Sequence, residues 1–264
     1  LKQGTEQAVA GELSGGDRVL GRDSLISERA EAIVVAESMS MSERSGRVVH
    51  LTTCALPATL AMLEEAGLGQ TVVESARLNA GQLVCTIRTT WGGRQLSTQD
   101  TIPTGQLARD GLLRALLQGS LFRKAIATTR DRIASWNLYR RVKHLTQPPP
   151  AELEPWLKAR IDDLGFQSGD EIELLLADDF LWPWPEPLSS GSEQEWLGRN
   201  YPLELSLGGG VRYTIAYSIA RRTVTLVQQA GRKTYRPPMS YLPGSWSGWR
   251  IELKQGNAVS MLRG

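Results

Sequence analysis

Val211-Arg212-Tyr213-Thr214-Ile215-Ala216-Tyr217 alternates bulky apolar side chains with polar or small ones. A period of two follows from the pleat of an extended chain, so this stretch reads as a strand with one face buried. The pattern returns downstream, where Val224 and Leu226 share a face and Trp249, Ile251 and Leu253 oppose Arg250, Glu252 and Lys254. Residues 218–221, Ala230-Gly231-Arg232 and Gln255-Gly256-Asn257 lie where hairpins would reverse. Gly208-Gly209-Gly210, with no helix or lysine after it, reads as a turn between strands. The last sixty residues are therefore expected to form a small, half-buried antiparallel sheet.

Upstream the period changes. Leu107, Leu112, Leu113, Leu116 and Leu117 recur at helical spacing and Gly119 ends the run, while Phe122, Ile126, Ile133 and Trp136 continue on a second helix. Pro148-Pro149-Pro150 cannot extend it. Leu153, Trp156, Leu157, Ile161 and Leu164 mark a further helix closed by Gly165. Ser168 and Glu171 have capping-box spacing, which predicts a fresh helix from Gly169 to about Phe180, with Ile172, Leu175 and Leu176 inward. Trp182-Pro183-Trp184-Pro185-Glu186-Pro187 breaks that helix. The first hundred residues are strand-rich, with apolar runs at 32–36, 47–53, 71–73 and 83–87 and one helix over 58–66 after Pro57. Several short strands with one helix suit a small Greek-key barrel of the OB type. The chain thus reads as α+β: an OB-like β-rich domain over 1–104, a helical linker region over 105–147, and a C-terminal domain over 151–264 in which helices precede the antiparallel sheet.

Of 264 residues, 41% are hydrophobic and 22% charged, a balance that excludes a disordered chain. No run approaches the ~18 apolar residues of a membrane span, and the first thirty residues lack the features of a secretory signal. A cytoplasmic protein is expected. Cys54 and Cys85 sit in apolar runs without metal-ligand spacing and read as buried free thiols of a reducing compartment. The sequence opens on Leu1, as a fragment of a longer polypeptide would.

The net charge of +2 conceals a segregation. Residues 1–100 carry net −3, 101–150 net +7, 151–200 net −9 and 201–264 net +7. Clustered Lys and Arg attract polyanions, although opposite segments can also neutralise each other within one fold.

Catalytic groups are not found. His50 and His144 stand without a Ser, Cys or Asp motif, and Gly244-Ser245-Trp246-Ser247-Gly248 has Trp where a nucleophile elbow needs Ser. No GxxxxGK[ST] phosphate loop occurs, and without one Leu13-Ser14-Gly15-Gly16 reads as a flexible turn. Asp162-Asp163 and Asp178-Asp179 have no histidine to complete a metal site and read as solvated faces. No catalytic residue, metal site or cofactor is assigned to this chain.

Cations and aromatic rings are what remain. Arg123, Lys124, Arg140, Arg141 and Lys143 decorate the second helix, beside Arg130 and Arg132; Arg221, Arg222, Arg232, Lys233, Tyr235 and Arg236 crowd one strand–turn–strand stretch; Trp246, Trp249 and Arg250 follow. Single-stranded nucleic acids are held by cations that follow the phosphates and by rings that stack on bases. Tryptophan in a small β domain more often serves the core, so the arginines, lysines and Tyr235 are the candidate contacts.

The order of these segments resembles the region that follows the motor in HrpB-like bacterial DEAH-box helicases. The resemblance rests on Gly11-Glu12-Leu13-Ser14-Gly15-Gly16, Val34-Val35-Ala36-Glu37, Leu112-Leu113-Arg114, Tyr201-Pro202-Leu203, Tyr213-Thr214-Ile215-Ala216-Tyr217, Val224-Thr225-Leu226-Val227-Gln228 and Trp249-Arg250-Ile251-Glu252-Leu253. It implies an ATP-dependent RNA or DNA helicase whose two RecA-like motor domains, with their ATP and Mg, precede Leu1, and whose OB-like and C-terminal accessory domains are here. The DEAH box and phosphate loop do not occur, and the sequence closes on Met261-Leu262-Arg263-Gly264 without the basic, tryptophan-containing extension of typical members. Two readings follow. One is a non-catalytic module contacting single-stranded RNA or DNA beside the motor domains of the same polypeptide. The alternative is a docking module in which the acidic helices of 151–200 and the Trp/Pro-rich loop at 182–187 hold a protein partner or the motor.

Overall fold

The computed structural model describes residues 2–3, 8–13, 16–20, 26–27, 29–42, 46, 48–91, 93–232 and 235–263. The chain is α+β and divides into two compact units, residues 1–115 with 166–173 and residues 116–165 with 174–264.

The first unit holds two sheets. Strands β1 (Lys2–Gln3), β2 (Ala8–Leu13), β3 (Gly16–Leu20), β4 (Ala32–Ser42) and β5 (Val48–Ala58) pair in the order β1-β2-β3-β5-β4, with β3 and β5 parallel and the other pairs antiparallel. Helix α1 (Leu60–Glu65) starts at Thr59, whose hydroxyl accepts a hydrogen bond from the Met62 N–H at 3.2 Å. It leads to an antiparallel meander of β6 (Gln70–Asn79), β7 (Gln82–Trp91) and β8 (Arg94–Thr101). Pairing of β4 with β1, which would close the first sheet into a barrel, is not seen among the described residues. Strand β7 lies in the middle of the meander and buries Leu83, Cys85 and Ile87 on alternate positions. Helix α2 (Gly105–Leu117) lies close by, and a Cβ at Gly111 would collide with the Cys85 sulfur, so glycine permits the approach. Residues 166–173 return to this unit, where the Gly105 N–H donates to the Gln167 carbonyl at 2.7 Å and the Gly169 N–H to that of Pro103 at 2.9 Å.

Three local expectations are corrected. Cys85 is buried, and burial pushes its thiol up to about 11, but Cys54 is exposed because it sits opposite Glu37 in the thinly covered β4–β5 ribbon. Strand β8 was not read from Arg94-Gln95-Leu96-Ser97-Thr98-Gln99-Asp100-Thr101, which has almost no apolar alternation; pairing to β7 makes it a strand. In place of a helix over 169–180 there are two 3-10 turns, Gly169–Leu174 and Ala177–Phe180. The capping pair forms in part, since Glu171 accepts from the Ser168 N–H at 3.2 Å, but Leu176 is extended and its N–H is taken by the Asp179 carboxylate at 2.8 Å, which ends helical growth.

The second unit is a sheet with helices over one face. Helices α3 (Arg123–Val142), α4 (Leu153–Asp163) and α5 (Gly191–Asn200) precede β9 (Glu204–Leu207), β10 (Val211–Ser218), β11 (Thr223–Ala230), β12 (Arg250–Gln255) and β13 (Ala258–Arg263), ordered β13-β12-β11-β10-β9. Val211, Tyr213, Ile215 and Tyr217 are all buried, as the alternation requires. They join Val224, Leu226, Ile251 and Leu253 and the inward face of α3, with Ile133, Trp136 and Tyr139, in one core. The triglycine is a 3-10 turn between β9 and β10. The sheet is mixed and not wholly antiparallel, because β12 runs parallel to β11. Ala230-Gly231-Arg232 consequently makes no hairpin: residues 235–249 lead to β12 through two 3-10 turns at Met239–Tyr241 and Gly244–Trp246, each entered from a proline, Pro238 and Pro243. Proline cannot donate to a ladder, and the second turn seats Trp246 in the core.

Candidate functional site

Helix α3 ends in a Schellman motif. The Leu145 N–H donates to the Arg140 carbonyl at 2.8 Å and the His144 N–H to that of Arg141 at 3.4 Å, around His144 at φ +55°. The carbonyls exposed at the helix end carry partial negative charge, which cations of the last turn offset. Arg140 is only 8% exposed, and its Nη2 donates to the carbonyls of Leu145 at 3.4 Å and Thr146 at 3.1 Å. Arg141 donates through Nε to the Asn137 carbonyl at 3.2 Å and is otherwise exposed.

The tip of the β10–β11 hairpin comes to this helix end. Its turn is closed by Arg221 N–H to the Ser218 carbonyl at 3.2 Å and Arg222 N–H to that of Ile219 at 3.1 Å, with Arg222 at φ +46°. The Arg222 carbonyl accepts from the Arg250 N–H at 2.9 Å, which ties the tip to β12. Both guanidinium groups are exposed and have no hydrogen-bond or ion-pair partner among the described residues.

Between the two walls lies an open cleft of about 980 Å³, lined by Arg140, Arg141, His144, Leu145 and by Tyr217, Ser218, Ile219, Ala220, Arg221 and Arg222. Among the described residues no carboxylate lines it. Tyr217 is buried, its hydroxyl donates to the Pro202 carbonyl at 2.8 Å, and burial holds its phenol far above the usual tyrosine range. Two cationic segments some eighty residues apart in sequence therefore meet in one concavity.

The other candidates lie elsewhere. Arg123 and Lys124 start α3, about 25 Å from Arg140 at 1.5 Å rise per residue. Lys143 turns away from the cleft: its ammonium is 3.9 Å from the centre of the Trp196 ring, 5.5 Å from that of Tyr139 and 3.8 Å from the Glu193 carboxylate. Burial first, and then Glu193, raise the Tyr139 phenol. Arg232, Tyr235 and Arg236 follow the far end of β11, about 23 Å along the hairpin from its tip. The Tyr235 carbonyl is held there by Gln255 Nε2 at 3.1 Å. Lys233 lies outside the described residues, as do Ser14 and Gly15 of the turn read at 13–16. Arg132 serves the fold, donating to the Trp182 carbonyl at 2.8 Å with its guanidinium 5.6 Å from the centre of the Trp184 ring.

The tryptophans follow the core expectation. Trp246 is fully buried with Tyr217 edge-on at 5.9 Å, and Tyr217, Tyr201 and Trp249 pack edge-on against one another at 5.8–6.4 Å. The Trp/Pro-rich loop also turns inward. Thr129 donates to the Phe180 carbonyl at 2.6 Å and accepts from the Trp182 N–H at 2.9 Å, and Trp182 and Leu188 are buried. Leu174 and Leu176, 77% and 65% exposed, are the apolar side chains that this segment leaves in solvent.

His144 was not among the sequence candidates. Its place just after a helix end, where glycine is usual, next to Arg140-Arg141, is the signal that marks it. A smaller cavity of about 310 Å³ in the first unit is lined by Glu64, Thr71, Thr89, Gln99 and Thr101 among others, and by no cation among the described residues. Among the described residues no helix is long and apolar enough to cross a membrane.

No protein-family model matches the chain, and no curated protein matches it. Two crystal structures do. One is of the E. coli DExH-box NTPase HrpB, with 16% identity over 96% of this chain and 31% of that one, at a TM-score of 0.29. The other is of the Escherichia coli DEAH/RHA helicase HrpB, with 15% identity over 83% of this chain and 29% of that one, at a TM-score of 0.27. The chain spans less than a third of either solved chain, at a likeness too slight to carry an argument about function.

Proposed function

We propose that this chain is a non-catalytic accessory region of an ATP-driven helicase that binds single-stranded RNA or DNA through the cleft between the end of α3 and the β10–β11 tip. The observation that carries the binding reading is the convergence of Arg141, Arg221, Arg222 and His144 on a concavity that no carboxylate among the described residues lines. A carboxylate-free cationic cleft concentrates polyanions, and exposed guanidinium groups suit phosphate oxygens in paired hydrogen bonds. The helicase context rests on the resemblance of the segments quoted above. ATP and Mg belong to the motor in this reading and not to the residues described.

The test is fluorescence anisotropy of labelled single-stranded RNA and DNA against the intact chain and an Arg141→Ala/Arg221→Ala/Arg222→Ala variant, over a range of salt. Bound phosphates release counterions, so log K falls with log salt by about 0.7 per phosphate on single strands. Micromolar binding with such a slope, reduced in the variant, supports the reading. Absence of binding at low salt, or equal binding by the variant, rejects it.

A further inference from the structure

Four described residues other than glycine have positive φ: Ala80, Phe122, His144 and Arg222. L residues pay a steric penalty there that glycine does not. For Phe122 a packing contact offsets it, since the ring stacks on Phe180 at 5.4 Å, and Ala80 is small and precedes Gly81 in the tight turn between β6 and β7. His144 and Arg222 have no such return. Their side chains are exposed and make no hydrogen bond or ion pair among the described residues, yet they stand on the two walls of one cleft. In both, the backbone bonds that impose the conformation are main-chain bonds that glycine would keep: Leu145 N–H to the Arg140 carbonyl at one, Arg250 N–H to the Arg222 carbonyl at the other. Residues held in sparsely populated backbone conformations cluster at functional sites.

The described lining of the cleft also presents no exposed Phe, Tyr or Trp face. Bases are commonly held on exposed aromatic faces. Tyr217 is the one Phe, Tyr or Trp among the lining residues, and it is buried with its hydroxyl committed to Pro202. What faces solvent is guanidinium, imidazole, the aliphatic side chain of Leu145, Ala220, and in part Ser218 and Ile219.

Resting on the reading of this cleft as a nucleic-acid site, we infer that it grips the phosphodiester backbone without reading bases, and that His144 and Arg222 are held left-handed so that their side chains reach phosphate. The experiment pairs binding with stability on the intact chain. Probes are a labelled single-stranded oligothymidylate and an abasic strand of the same length and charge. Variants are His144→Gly and Arg222→Gly, with Ala80→Gly as the control for strain relief alone. The expected result is that wild type binds the two probes within about twofold of each other, while each of the first two variants binds roughly fivefold more weakly, as loss of a charge-assisted contact implies. Their melting temperatures hold or rise, and Ala80→Gly rises without any change in affinity. Weakening by the abasic strand of tenfold or more assigns the imidazole and guanidinium planes to base stacking and overturns the inference, as does wild-type affinity in both glycine variants. In either case the binding reading itself stands. If wild type binds neither probe, it is the binding reading that falls, and the inference with it.

Discussion

The two walls of the cleft use arginine in opposite ways. At the end of α3, Arg140 is buried and donates to two carbonyls, Arg141 donates to a third, and Lys143 is drawn onto Trp196 and Glu193. At the hairpin tip, Arg221 and Arg222 are exposed and without partners among the described residues. The first wall answers a need of the fold, because a helix end carries negative partial charge and orphan carbonyls whatever the protein does. The second wall answers none that the structure contains. Basic residues of the same type, dense in sequence, thus divide into those that hold the chain together, Arg140 and Lys143, and those left for a partner, Arg221, Arg222 and the exposed Arg141 beside them, and binding should follow the second group.

That division can be broken by mutation. Arg221→Ala/Arg222→Ala should weaken binding of a single strand by roughly 2 kcal/mol, about 30-fold, with the melting temperature unchanged; anisotropy beside calorimetry checks both. The salt slope should drop by about 1.4 in the same variant, one phosphate per guanidinium. Arg140→Ala should do the reverse, lowering stability by about 2 kcal/mol through two orphaned carbonyls and a lost buried stem, as denaturant titration would read. A smaller effect belongs to Lys143→Ala, about 1 kcal/mol of stability from its position over the Trp196 ring, with affinity kept. The smallest is expected from Arg232→Ala/Arg236→Ala at the far end of the hairpin, where affinity should stay within about twofold of wild type. If this last pair outweighs Arg221 and Arg222, the division drawn between the two ends is wrong.

Sequence reading went furthest where one physical constraint dominates. The period of two in 211–217 and the helical spacing of Leu153, Leu157 and Ile161 locate elements because burial of one face dictates the pattern. It failed where tertiary pairing decides. Strand β8 has no apolar signature of its own, and the parallel pairing of β11 with β12 depends on a crossover through Pro238, Pro243 and Trp246, where turn residues at Ala230-Gly231-Arg232 suggest a hairpin. The candidate cations were legible as residue types. Their grouping was not, because Arg221 and Arg236 look like one cluster in sequence but flank opposite ends of a strand, whereas Arg141 and Arg221 meet only once α3 lies beside the hairpin tip. For His144 the sequence shows only its place after a helix end beside Arg140-Arg141; the left-handed backbone angle is seen in the structure alone.

Hydrogen–deuterium exchange of the intact chain, with and without a saturating single-stranded oligonucleotide, tests the central claim most directly. The account expects new protection at residues 140–146 and 217–222 and none at the start of α3 or at 231–236. Protection confined to those latter segments, with the cleft exchanging as in the free chain, would contradict it.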